Sequence, residues 1–126
     1  MIARTLAGIG LTLCSAAGLA YGDLDGSHLL KACNHALADR KTLDADGNVL
    51  MGYCAGIIHG VAGSHRFTPV APREGAAKPA FCLPDSMTIH EGARAVVHYL
   101  NEHPERLHDE ATDVVTAALG QAFPCK

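Results

Sequence analysis

Cysteines at 33, 54, 82 and 125 follow the apolar start of the chain, and their placement restricts the fold more than any other feature. Between Cys82 and Cys125 lie two helical patterns of matched length, hinged at His103 and Pro104. In the first, Ile89, Ala93, Val96, Val97 and Leu100 recur at intervals of three and four, which places them on one face of a helix. Leu107, Ala111, Val114, Val115, Ala118 and Ala122 repeat the spacing in the second. Thr88 with Glu91 is a capping-box signature, and Pro104 suits a first helical position because the N–H it lacks would be unpaired there. Folding back at this joint brings Cys82 and Cys125 together at the open end.

The arrangement recurs upstream. After Asp25, Gly26 and Ser27, which are turn and capping types, Leu29, Leu30, Cys33, Ala36 and Leu37 follow helical spacing to about Arg40. Over residues 49–61, Leu50, Tyr53, Cys54, Ile57, Ile58 and Val61 fit one face of a second helix, and a joint near Leu43 leaves Cys33 and Cys54 almost equidistant from it. Four cysteines admit three pairings. Hairpin symmetry favours Cys33 with Cys54 and Cys82 with Cys125, each closing a loop worth about 3 to 4 kcal/mol on chain-entropy grounds. The expected fold is all-α, a small disulfide-stapled four-helix domain of two helical hairpins.

Persistent disulfides need an oxidising compartment, and the first residues supply a route to one. Arg4 gives a positive start, residues 6–19 are apolar and broken by Gly8, Gly10 and Gly18, and Ala20, Tyr21 and Gly22 form a small-x-small cleavage site. This predicts a signal peptide over residues 1–22, a mature domain over 23–126 and export from the cytoplasm. The apolar run is too short for a membrane span, which needs roughly 20 apolar residues. Cys14 is a poor lipid-attachment site because Leu13, a large residue, precedes it. Losing Arg4 moves the formal charge from −3 to −4, and a mildly acidic chain has no general drive toward nucleic acid or anionic membrane.

Four further stretches carry expectations. Residues 44–48, Asp-Ala-Asp-Gly-Asn, read as a turn; a calcium loop is excluded because the glycine falls too early and Ala55 stands where a bidentate glutamate belongs. Gly52, Gly56 and Gly60 recur every fourth residue, and since each costs roughly 1 kcal/mol of helix propensity, the stripe predicts close approach by another backbone. Packing against helix one or three is the expected partner, with a homodimer seam as the second reading. Residues 64–80 hold three prolines and no periodicity, with Arg66, Arg73 and Lys78 set against Glu74, and read as the one long irregular segment. Glu102, Glu105, Asp109, Glu110 and Asp113 around the second hinge outweigh Arg106 and read as a solvated face.

Catalysis finds little support. The chain has eight histidines but no constellation: cysteines at hairpin-symmetric positions are expected as disulfides and not as free thiols. His59 and His98 read as surface or interfacial residues, and His103 and His108 merely bracket a turn. No C-x-x-C pair, zinc-binding histidine pair, phosphate loop or serine elbow is present. The expectation is a binding protein, with no enzyme activity, metal or cofactor.

Several segments resemble the Rap1a/Tai family: residues 54–61, Cys-Ala-Gly-Ile-Ile-His-Gly-Val; Cys82-Leu83-Pro84; the Val96 to Leu100 run leading into His103-Pro104-Glu105; and Ala118-Leu119 with Ala122-Phe123-Pro124-Cys125. The likeness spans about residues 33–125, and Ile57 departs from it where the family often has an aromatic residue. The resemblance implies a helical, often dimeric periplasmic immunity protein. Such proteins protect bacteria from peptidoglycan amidase effectors of type VI secretion systems by placing a loop over the toxin's active-site groove. Within that frame the irregular segment is the expected partner-binding surface, through Ser64, His65, Arg66, Phe67, Arg73, Glu74 and Lys78, because aromatic and arginine anchors are typical of hot spots. The alternative is a periplasmic acid-stress chaperone in which histidines sense pH, or another small helical binding protein with no toxin partner.

Overall fold

The protein is described by a computed structural model covering residues 24–67 and 79–126, the side chains of residues 65–67 excepted. Its elements are α1 (Gly26–Leu37), α2 (Ala45–Phe67), α3 (Ile89–Glu102) and α4 (Ala111–Ala122), with 3₁₀ turns at Arg40–Thr42 and Pro104–His108. The proposed signal peptide lies outside the described residues.

Local chemistry explains most boundaries. Asp25 caps α1, its Oδ1 accepting from the backbone N–H groups of Ser27 at 3.1 Å and His28 at 3.0 Å. The helix ends at Leu37, earlier than the spacing suggests, because Ala38 turns extended and Asp39 caps the 3₁₀ turn that follows. Residues 44–48 are not a turn. Asp44 Oδ1 accepts from the Gly47 N–H at 2.8 Å, so Asp44 acts as an N-cap and the residues after it are the first turn of α2. Both halves of the capping box form on α3, with Glu91 N–H on Thr88 Oγ1 at 3.2 Å and Thr88 N–H on Glu91 Oε2 at 2.7 Å.

Two further element boundaries differ from expectation. Ser64, His65, Arg66 and Phe67 belong to α2 and not to an irregular loop. No proline stands between Val61 and Pro69, and α2 runs on through Gly63 and through Ser64, whose Oγ donates to the Val61 carbonyl at 2.8 Å. The second change is at Pro104, which opens a 3₁₀ turn and not α4. Asp109 is extended because the chain ahead of α1 pairs with it: Gly26 N–H donates to the Asp109 carbonyl at 2.9 Å and Ala111 N–H to the Leu24 carbonyl at 3.1 Å. This antiparallel bridge joins Asp25 to Glu110. Gly26 makes it possible, since a Cβ there would lie 2.7 Å from the Arg106 carbonyl.

The helices pack as two hairpins, α1 with α2 and α3 with α4, joined chiefly by α1 against α3. Leu29, Ala32 and Cys33 meet Cys54 and Ile58, then Ala93, Val96 and Leu100, then Val114, Val115, Ala118 and Leu119, in one core that also takes Phe81. Burying each large aliphatic side chain contributes about 1.5 to 3 kcal/mol. Ala122, expected on the buried face, is exposed, and Leu119 takes the inner position. The disulfides are Cys33–Cys54, with Cα atoms 5.1 Å apart, and Cys82–Cys125, at 4.9 Å, the pairing that hairpin symmetry favours. Gly52, Gly56 and Gly60 do not contact helix one or three: a Cβ on any of them would meet nothing within 4 Å among the described residues. The stripe faces outward, on the side where Val49 is 72% exposed.

Candidate partner-binding surface

The predicted partner-binding residues fall into three sets. Ser64 is exposed at the end of α2, His65, Arg66 and Phe67 continue that helix, and Arg73, Glu74 and Lys78 lie outside the described residues. What the structure does define is the frame around the segment. On its far side Phe81 is buried in the core, Cys82 N–H donates to the Phe123 carbonyl at 2.9 Å, and Cys82 is bonded to Cys125. Gly120 is required here, because a Cβ would lie 2.9 Å from the Ala80 carbonyl. Residues 68–78 are thus bracketed by a long helix and a covalent anchor.

At the hinge end, several of the acidic side chains have partners within the chain. His98 lies 3.3 Å from Glu102, which also accepts from Gln121 Nε2 at 2.8 Å, and His103 lies 3.2 Å from Glu105. Arg106 Nε sits 2.6 Å from Asp109 Oδ2. The Glu105 backbone N–H, and secondarily His103, hold the Glu105 carboxyl below its ordinary range. The Ser27 side chain and then the His28 N–H do the same for Asp25. Such surface pairs contribute little stability but orient their charges.

Beside this end, Leu24, Ile57, Glu110, Ala111 and Thr112 line a cleft of about 470 Å³. Sequence reasoning missed it, since its walls come from three distant segments brought together by the bridge at Glu110. Ile57 carried a signal only as the position where the likeness departs from the usual aromatic residue. Nearby, the Tyr53 hydroxyl is buried without a hydrogen-bond partner among the described residues, its ring edge-on to His28 at 4.9 Å. Burial, and then the charge of Asp25, push its pKa up, so the phenol is neutral.

The four cysteines of the described residues are oxidised, and no group of three metal-ligating side chains occurs among those residues. No described polar side chain is fully buried in the core. No described helix is long and apolar enough to cross a membrane. The described surface offers charged rims and an apolar-walled cleft. Among known proteins, the family model described as Rap1a immunity proteins matches residues 25–125. No curated protein and no solved structure matches the chain.

Proposed function

The chain belongs to the Rap1a immunity proteins, and from that premise we propose that it binds and neutralises a peptidoglycan amidase toxin delivered by a type VI secretion system. The observation that carries the reading is the family match over residues 25–125, which takes in both hairpins and both disulfides. Residues 1–22 act as the signal peptide and 23–126 as the mature domain, working in the periplasm where the toxin meets its substrate. The two disulfides are compatible with an oxidising compartment. The protein acts by occupying the toxin's surface, without chemistry of its own, and as a homodimer.

Arg66 and Phe67 at the end of α2, with Arg73 beyond it, form the principal contact. A helical base for Arg66 and Phe67 lowers the ordering cost of binding relative to a free loop. The test is co-expression of the chain with a periplasm-directed type VI amidase in a bacterial host, followed by calorimetry on the purified pair. Protection from lysis and a 1:1 subunit stoichiometry are expected. Replacing Arg66, Phe67 and Arg73 together by alanine should weaken inhibition by more than about tenfold with the helical circular dichroism intact. Unchanged inhibition by that variant removes the segment from the interface, and lysis despite a folded wild-type chain removes the amidase as target.

A further inference from the structure

We propose that the cleft between Leu24, Ile57 and Ala111 receives a long cationic side chain, arginine or lysine, from the protein partner, with Glu110 as its counter-charge. This deepens the immunity reading and rests on it for the nature of the partner.

The walls are apolar. Leu24 and Ile57 are half-buried and Ala111 is buried, and the cleft they form with Thr112 and Glu110 measures about 470 Å³. The rim is anionic. Glu110 occupies the N-cap position of α4, yet its carboxylate makes no capping bond; Oε1 accepts from Thr112 Oγ1 at 3.1 Å, and no cation pairs with it among the described residues. Asp25 is bridged to Glu110 through the backbone, and Asp109 and Asp113 flank it in sequence. The one arginine close by, Arg106, is already set against Asp109 at 2.6 Å.

These features select an occupant. An anion would be repelled by the rim. A neutral apolar ligand would cover the walls but strip water from Glu110 without replacing it, which is costly for a carboxylate. An aliphatic stem ending in a cation satisfies both surfaces, the methylenes lying along Leu24, Ile57 and Ala111 and the head reaching Glu110. The anionic rim also favours encounter with a basic patch on the partner. The site is preformed: the paired hydrogen bonds from Gly26 to Asp109 and from Ala111 to Leu24 fix two of the three segments that carry its walls, and the third, at Ile57, lies within α2. Little ordering is then needed on binding.

The cleft is tested without any toxin by titrating the ¹⁵N-labelled mature chain, disulfides intact, with n-butylguanidinium chloride and with neutral n-butylurea. Amide shifts at Ile57, Ala111 and Thr112 should saturate with the guanidinium in the millimolar range expected of so small a ligand. The urea should bind about tenfold more weakly or less, and Glu110→Gln should reduce the guanidinium to the level of the urea. Equal binding of the two probes would mark the cleft as an apolar-ligand pocket and overturn the proposal, as would shifts confined to other residues or none. With an effector that the chain is shown to neutralise, Glu110→Lys should weaken binding by about tenfold or more, and a variant that binds like wild type overturns the proposal. A wild-type chain that neutralises no effector counts against the immunity reading alone, and the titration still decides the cleft.

Discussion

The two disulfides close similar hairpins but occupy opposite environments. Cys33 and Cys54 are wholly buried among Leu29, Ile58 and the rest of the core, whereas Cys82 is exposed and Cys125 half-exposed at the end of α4. Chain entropy ranks them one way: separations of 21 and 43 residues correspond to about 3 and about 4 kcal/mol, favouring the outer bond. Packing ranks them the other way, because the inner cysteines are also fully buried in the core. One bond is part of the core; the other fastens a segment to it.

The largest expected effect tests which ranking prevails. Cys33→Ala with Cys54→Ala should lower the unfolding free energy by about 4 to 6 kcal/mol in urea titrations, loop entropy and cavity together. Cys82→Ser with Cys125→Ser should cost about 2 to 4 kcal/mol, and mild thiol reductant followed by alkylation and mass spectrometry should open this bond first. A larger loss from the outer pair would show that entropy alone governs. Next, Gly120→Ala should cost about 1 to 3 kcal/mol, because the new methyl presses on the Ala80 carbonyl of the outer anchor. On the inner hairpin Gly56→Ala should do the reverse, raising stability by about 0.4 to 1 kcal/mol, since its outward face is open and alanine is the better helix former. A loss at Gly56 measured at micromolar protein would instead place another backbone on the stripe.

Acid should produce the smallest effect. Asp25 on the inner hairpin and Glu91 on the outer have carboxyls held below their ordinary range, Asp25 by the Ser27 hydroxyl and then the His28 N–H, Glu91 by the Thr88 N–H and then its hydroxyl, and Glu105 is lowered as well. A depressed folded-state pKa gives stability that is present above the unfolded value and lost as pH falls through the folded one. Melting temperatures should therefore hold from pH 7 to about 5 and decline below about 4.5, with the same decline in both cysteine-pair variants. Asp25→Asn and Glu91→Gln should each remove part of it.

α3 was more legible in sequence than the other helices, for identifiable reasons. Thr88 and Glu91 form a local signal that nothing overrides, and Ile89 to Leu100 keeps one register against the core. Asp44 was ambiguous because aspartate followed by glycine suits both a turn and an N-cap, and the choice fell to packing. The break at Asp109 has no proline or glycine to announce it; its cause is a backbone pairing with Leu24 and Gly26, more than eighty residues away in sequence. The glycine stripe was legible as a pattern, but sequence could not say which way it faced. The cleft was invisible for the same reason as the break at Asp109, since it exists only where residues 24, 57 and 110–112 converge.

The pairing of Leu24 with Ala111 also sets a limit on how the chain can be processed. The Leu24 carbonyl accepts a hydrogen bond at the first turn of α4. A chain that began after Leu24 would lose the acceptor for the Ala111 N–H and one wall of the cleft together, so the proposed cleavage after residue 22 leaves both intact.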